Sequence, residues 1–251
     1  MARCRQWRED RRLSQLELAS RAAVSTRHLS FVETGKARPT AAMIERLADQ
    51  LDVPLRERND LLLAGGFAPR YGVRGLDDDD LAPVLDGLRR VLDAYLPAPA
   101  LLLDDRWDVV DANTAAFQLM ADCDPALLEP PINAIRVSLH PGGLAPRIRN
   151  LPVWGANIHQ RVRMRAERRR DPALWALAEE IAGYVDVRAQ PPATDPVLAV
   201  ELETEDQGCV RFFGLATQLE TATDVTLAEL HLEAFLPADA ASQEWLIAAL
   251  R

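Results

Sequence analysis

Apolar residues recur at helical spacing over the first 66 positions, in runs separated by short polar breaks, and β-like alternation enters only beyond Pro99. Residues 3–12 predict a helix with Cys4 and Trp7 turned inward and Arg5, Arg8, Arg11 and Arg12 mostly toward solvent. Ser14 followed by Glu17 is a capping box, which satisfies two otherwise orphaned backbone donors, so a second helix starts near Gln15. Leu13 and Leu18 staple that start, and Leu16, Ala19 and Ala22 form a narrow apolar stripe. Ser25 caps a third helix, with Val24 and Leu29 at its staple positions and Gly35 as its stop. Leu29 and Val32 fall on one side of it, whereas Arg27, Ser30, Phe31 and Thr34 form the opposite, outward stripe. Thr40 caps a fourth helix with Ile44, Leu47, Ala48 and Leu51 on one face, and a fifth runs from Val53 with Gly65 just past its end.

Residues 67–76, rich in Gly and Pro, predict a hinge. Asp77 to Asp80 crowd the start of the next helix, where carboxylates complement the dipole. Its stripe of Leu81, Val84, Leu85, Leu88, Leu92 and Tyr95 needs a partner, either its own chain or the same helix in a second copy. From Pro99 the period changes, and ALLLDDRWDVVDAN predicts a hairpin turning at Asp104 and Asp105. A helix over 113–121, a proline-rich link, an Arg-rich helix to about Arg170 and another over 171–184 follow. Strands are expected at 197–203, 210–219 and 227–236, with a last helix from Ala240. The expected organisation is an all-α five-helix domain over 1–66, a linker over 67–76, a connecting helix over 77–97, and an α+β domain with an antiparallel sheet over 98–251.

With 251 residues, 48% of them hydrophobic, the chain can bury a sizeable core. No window approaches the roughly 20 apolar residues of a membrane span, and no apolar h-region follows Arg3, Arg5 and Arg8, so a cytoplasmic protein without membrane contact is expected. Cys4, Cys123 and Cys209 are too few and too far apart for a disulfide framework or a zinc ribbon. The net charge of -9 at first speaks against nucleic acid. Division along the chain reverses this: residues 1–74 hold 14 Lys/Arg against 9 Asp/Glu, net +5, and residues 75–251 hold 15 against 29, net -14. A basic head on an acidic body suits DNA binding with little non-specific adhesion.

The outward stripe of the third helix fits the major groove, where Arg27 can hold a guanine through two bonds and Phe31 can touch a thymine methyl. S-Q-x-x-L-A at Ser14 to Ala19, V-S at Val24 and Ser25, L-S at Leu29 and Ser30, and E-T-G at Glu33 to Gly35 resemble the lambda-repressor-like (XRE) helix-turn-helix family. The resemblance implies base contacts from Thr26, Arg27, His28 and Ser30, with Gln15, Lys36 and Arg38 near phosphates; Ser25 and Phe31 complete the DNA-facing set. Relatives often carry another turn ahead of Cys4, so a start slightly inside the domain is expected. One head offers few base-reading side chains, so a homodimer on a palindromic operator is expected, with its reading helices about 34 Å apart.

Three further segments, Trp107 to Asn113, Pro130 to Ile148 and Asp224 to Asp239, resemble the MmyB-like ligand-binding domain, a likeness covering nearly all of residues 75–251. It implies a PAS-like sensor for a small, largely apolar, acyl-type ligand. Arg136, His140 and Trp154 are the candidate ligand contacts, because they stand in irregular backbone between regular elements. The competing reading puts Arg136 in an internal salt bridge and Trp154 in the core. The run Arg161, Arg163, Arg165, Arg168, Arg169 and Arg170 could extend DNA contact or hold an anionic ligand, but such a run more often is a solvated helix face. Glu229, His231 and Glu233 share a strand face, but alternation with Leu230, Leu232 and Ala234 explains them, and neither metal nor cofactor is expected. Common catalytic signatures such as G-x-S-x-G and H-E-x-x-H are missing, so an enzyme is not expected. The reading is a DNA-binding transcription regulator that senses a small molecule; alternatives are an antitoxin-like repressor controlled by a protein partner and, less favoured, a DNA-binding head fused to an enzyme domain.

Overall fold

The computed structural model describes residues 2–189, 196–204 and 208–249. The chain divides into two compact units, Met1–Asp78 with Leu219–Glu229, and Asp79–Gln218 with Leu230–Arg251.

The N-terminal stretch gives the first unit five helices: α1 Ala2–Asp10, α2 Gln15–Arg21, α3 Thr26–Glu33, α4 Ala41–Gln50 and α5 Leu55–Ala64. Side chains cap three of them. Ser14 Oγ accepts from Glu17 N at 3.1 Å while Glu17 returns the bond to Ser14 N at 2.8 Å; Ser25 Oγ accepts from His28 N, and Thr40 Oγ1 from Met43 N, each at 3.2 Å. Leu18, Ala19, Leu29, Val32, Ile44, Leu47, Leu51 and Leu61 form the core. Leu16, expected in the packed stripe of α2, is instead 68% exposed, because Leu18 and Ala19 take the inner face. Arg8, expected mostly toward solvent, is buried against Glu33. The turn between α2 and α3 sets Ala23 at φ 51°, a left-handed conformation that favours glycine.

The expected hinge is pinned. Asn59 of α5, itself buried, accepts from Arg70 N and Tyr71 N at 2.9 and 3.0 Å and donates to Tyr71 O at 2.8 Å. Tyr71 Oη donates to Glu45 of α4 at 2.8 Å. Gly and Pro therefore mark a strap along this unit.

The second unit holds α6 Ala82–Ala94, β1 Ala100–Leu103, β2 Val109–Ala112, α7 Thr114–Met120, α8 Ala134–Leu139, α9 Leu151–Arg169, α10 Pro172–Ala182, β3 Val200–Glu203 and β4 Cys209–Gln218. After α11 Val225–Glu229, which lies in the first unit, come β5 His231–Pro237 and α12 Ala240–Ala249. The described strands form one antiparallel sheet in the order β2-β1-β5-β4-β3, and with the helices they make the α+β arrangement expected. One correction concerns 227–236, expected as a continuous strand. Asp224 Oδ1 accepts from Thr226 N at 2.9 Å and so opens the helix α11, leaving the strand to begin at His231.

The helix over 82–94, expected as a connector, packs on the sheet: Leu92 is fully buried, and Asn113 Nδ2 donates to Leu92 O and Ala98 O at 3.0 and 2.9 Å. Asn113 Oδ1 accepts from Ala100 N and Ala116 N, so this single buried amide joins α6, β1 and α7. Gly155 lets α9 approach the end of α10, since a Cβ there would meet Val185 Cβ at 2.8 Å. Trp107, Phe212, Val162, Leu174 and Ile181 lie at the centre of the core.

Candidate functional site

Two places on the chain have the geometry of sites: the outer face of α3, and a cavity between the sheet and its covering helices. Along α3, Leu29 and Val32 face inward, and Arg27, His28 and Phe31 are exposed while Thr26 and Ser30 are half-buried. The Arg27 guanidinium lies 5.5 Å from the Phe31 ring centroid, which steadies a long cation on an exposed face. Ser25 serves as the cap, and Thr34 turns its hydroxyl back to Ser30 O at 2.7 Å. Lys36 and Arg38 stand exposed in the loop that follows.

Glu33 holds this face in place from behind. Arg8 Nε and Nη2 donate to its two carboxylate oxygens at 2.8 and 3.1 Å, and Gln15 Nε2 donates to Oε2 at 2.8 Å. One buried carboxylate thus ties α1, α2 and α3 together and orients Gln15. The ion pair pushes the Arg8 guanidinium further above its already high value.

The cavity offers about 870 Å³ of atom-free space, open mouth included. Its floor is the sheet, through Leu101 and Leu103, Val200 and Leu202, Phe212 and Gly214, and Glu233 and Phe235. Ala116 and Met120 of α7, Ile135 and Val137 of α8, and Trp154 and Ile158 of α9 cover it. Apart from Ser138, the polar side chains in the lining are Arg161 and Glu233, and these pair at 2.8 Å. Glu233 also accepts from Trp107 Nε1 at 3.3 Å. Arg165 stacks at 3.7 Å over the Trp107 ring and donates to Asp105 O, while Arg169 pairs with Asp105 at 3.0 Å. Burial lowers the affinity of the Arg165 guanidinium for its proton.

Of the three candidate ligand contacts, Trp154 lines the cavity and Arg136 and His140 do not. Arg136 forms a two-pronged ion pair with Glu180 at 2.9–3.0 Å, and this bond holds the Glu180 carboxyl below its ordinary range. His140 Nδ1 accepts from Gly142 N at 2.9 Å, and its ring meets Tyr184 edge-on at 5.0 Å. Glu233 was not expected in the lining, and Arg161 was read first as part of a solvated face. A signal existed: Trp154, Ile158 and Arg161 share one helical stripe, and Glu233 sits two residues before Phe235 on one strand face. The arginine run is also not a uniformly solvated face, since Arg161, Arg165 and Arg169 point inward on successive turns. Glu229 lies on α11 rather than on the strand of His231 and Glu233. Among the described residues no group of His, Cys, Asp or Glu is placed to hold a metal ion, and no helix is long and apolar enough to cross a membrane.

Comparison with known proteins places both regions. The family model described as the MmyB-like transcription regulator ligand binding domain matches residues 84–248, and a helix-turn-helix model matches residues 5–58. None of the curated proteins compared matches the chain. Among solved structures, the chain is similar to an RNA-binding Light-Oxygen-Voltage receptor at 14% identity and a TM-score of 0.29, over 94% of this chain and 57% of that one. The chain thus spans a little over half the length of that receptor.

Proposed function

The chain belongs to the MmyB-like transcription regulators, with a helix-turn-helix ahead of the family's ligand-binding domain, and we propose that a small acyl-type ligand in the apolar cavity controls how α3 meets a specific operator. The observation that carries this reading is the cavity itself. Its walls are almost wholly apolar, and its one charged corner gives the polar end of a ligand both a donor, Arg161, and an acceptor, Glu233. Behind that corner Arg165 bonds Asp105 O and stacks on Trp107, and Arg169 pairs with the Asp105 carboxylate.

On DNA, Arg27 and Thr26, His28 and Ser30 read base edges, Phe31 touches a thymine methyl, and Gln15, Lys36 and Arg38 hold phosphates. Ser25 acts there chiefly as the cap that sets the start of α3. Two copies supply enough base contacts to select a palindromic operator, and α6 offers a seam: Val84, Leu85 and Leu88 are half-buried within the unit and Val91 is 45% exposed. Mass spectrometry of small molecules released from the purified chain is expected to find an amphiphile, and acyl chains added to the stripped protein should raise its Tm. Protein that carries no small molecule and whose Tm is indifferent to acyl chains of any length would refute the sensor reading.

A further inference from the structure

Eleven residues, Leu219–Glu229, join β4 to β5 and form part of the first unit. They are fixed there at both ends. Val225 N donates to Gly72 O at 2.8 Å, Thr226 Oγ1 donates to Arg74 O at 2.6 Å, and Asp224, 4% exposed, takes the Arg74 guanidinium at 3.2 Å. At the far end Glu229 accepts from Arg56 Nε and Nη2 at 2.8 and 2.7 Å. Gly72 and Arg74 continue the strap that Asn59 and Glu45 hold through Arg70 and Tyr71, so the network reaches α4 and α5 without a break.

Both strands that this segment joins are walls of the cavity. Gly214 stands five residues before Leu219, Glu233 stands four after Glu229, and the β4–β5 ladder is hydrogen-bonded down to Gln218 and His231. A paired ladder carries a change of twist or register along its length, because slipping one strand breaks every bond of the pair. Whatever a ligand does to the β4–β5 wall arrives at Leu219–Glu229, and that segment is bonded into the head.

We propose that Leu219–Glu229 is the transmission element of the sensor, with Asp224–Arg74 and Glu229–Arg56 as the clamps through which cavity occupancy reaches the helix-turn-helix unit. The inference rests on the sensor reading above and specifies its regulation. It differs from a plain structural staple in one respect: the clamps must pass on a change that originates in the cavity.

Hydrogen exchange followed by mass spectrometry on the full chain tests this, with dodecanoate as the probe. Dodecanoate should slow exchange in β4 and β5 and, in the same sample, slow the amides of Arg70, Tyr71 and Val225 about tenfold. In the double variant Asp224→Asn/Glu229→Gln the slowing in β4 and β5 should persist and that at Arg70 and Tyr71 should vanish. Slowing in β4 and β5 that never reaches Arg70 and Tyr71 in the wild type, or that reaches them equally in the double variant, overturns the transmission role and leaves the sensor reading standing. If dodecanoate leaves β4 and β5 unchanged, the acyl reading fails and Gly214→Leu takes its place, since a Cβ at Gly214 meets nothing within 4 Å and fills the same space from within. The same amides then decide: slowing at Arg70 and Tyr71 supports transmission, and unchanged exchange refutes it.

Discussion

Deleting the guanidinium of Arg8 is the sharpest test of how the reading head is held. Arg8→Met keeps the apolar stem and removes two of the three bonds described for the wholly buried Glu33 carboxylate, leaving that from Gln15. Removing one partner of a buried ion pair costs about 3–5 kcal/mol, because the other charge stays in low dielectric without compensation. Small domains have about 5–15 kcal/mol in total, so this unit should lose a large share of its stability. Amide exchange in α2 and α3 should then accelerate roughly a hundred- to several-thousand-fold, while peptides of the sheet keep their wild-type rates.

The double variant Arg8→Met/Glu33→Met separates charge from packing. With both charges gone and apolar volume in their place, stability should return to within about 1 kcal/mol of the wild type. DNA affinity should not return with it, since Gln15 loses the oxygen that orients it. An Arg8→Met cost below about 1 kcal/mol, the value of a solvent-exposed pair, would show that water screens this pair and that Glu33 is not the keystone of α1, α2 and α3.

Three other outcomes are expected. Arg27→Ala should cost about 1–3 kcal/mol on the operator and relax preference at one base pair, whereas Lys36→Ala should weaken all DNA alike and flatten the salt dependence; equal losses on operator and random DNA for Arg27→Ala, measured by fluorescence anisotropy, would refute the docking. Glu180, held down by the Arg136 bond, should titrate below its ordinary value of 4.5, so its contribution is present above the carboxylate range and disappears as pH falls through the lowered folded value; carboxyl NMR should show this, and Arg136→Gln should move the titration back up. Leu88→Glu with Val91→Glu should give folded monomers with poor operator binding, because neither side chain is fully buried in its own unit; dimers that persist in analytical ultracentrifugation exclude α6 as the seam.

The helical head was legible because its signals are local. Ser14, Ser25 and Thr40 each announce a helix start with a side chain that bonds a backbone amide three residues on, and the structure shows those bonds. What sequence missed there are pairings across distance. Arg8 and Glu33 are 25 residues apart, and on α1 an arginine bound for a buried carboxylate looks like its solvated neighbours. Likewise the Gly and Pro of 67–76 suggested a hinge, and nothing local announces that Asn59 accepts two of that segment's amides. Alternation over 227–236 suggested one strand, although Asp224 two residues before Thr226 is a cap signal of the same kind as Ser14.

The pocket was hard to see for a different reason. Sequence periodicity finds the faces that turn inward, but a cavity is a deficit on such a face, created where small residues oppose one another. Ala116 on α7, Ala134 at the start of α8 and Gly214 on β4 all border this one. Each is unremarked in its own stripe, and only the fold brings them to one cavity. The polar corner follows the same logic: Arg161 continues the stripe of Trp154 and Ile158, and Glu233 continues that of Phe235, so each looks like the polar edge of an apolar face. Arg136 and His140 drew notice because the sequence suggested irregular backbone around them; Arg136 instead stands on α8 with His140 at its end, and their polar atoms are already bonded to Glu180 and Gly142. In this chain the groups left facing open space stand on regular strands and helices, where rigid backbone can hold a charged pair inside an otherwise apolar wall.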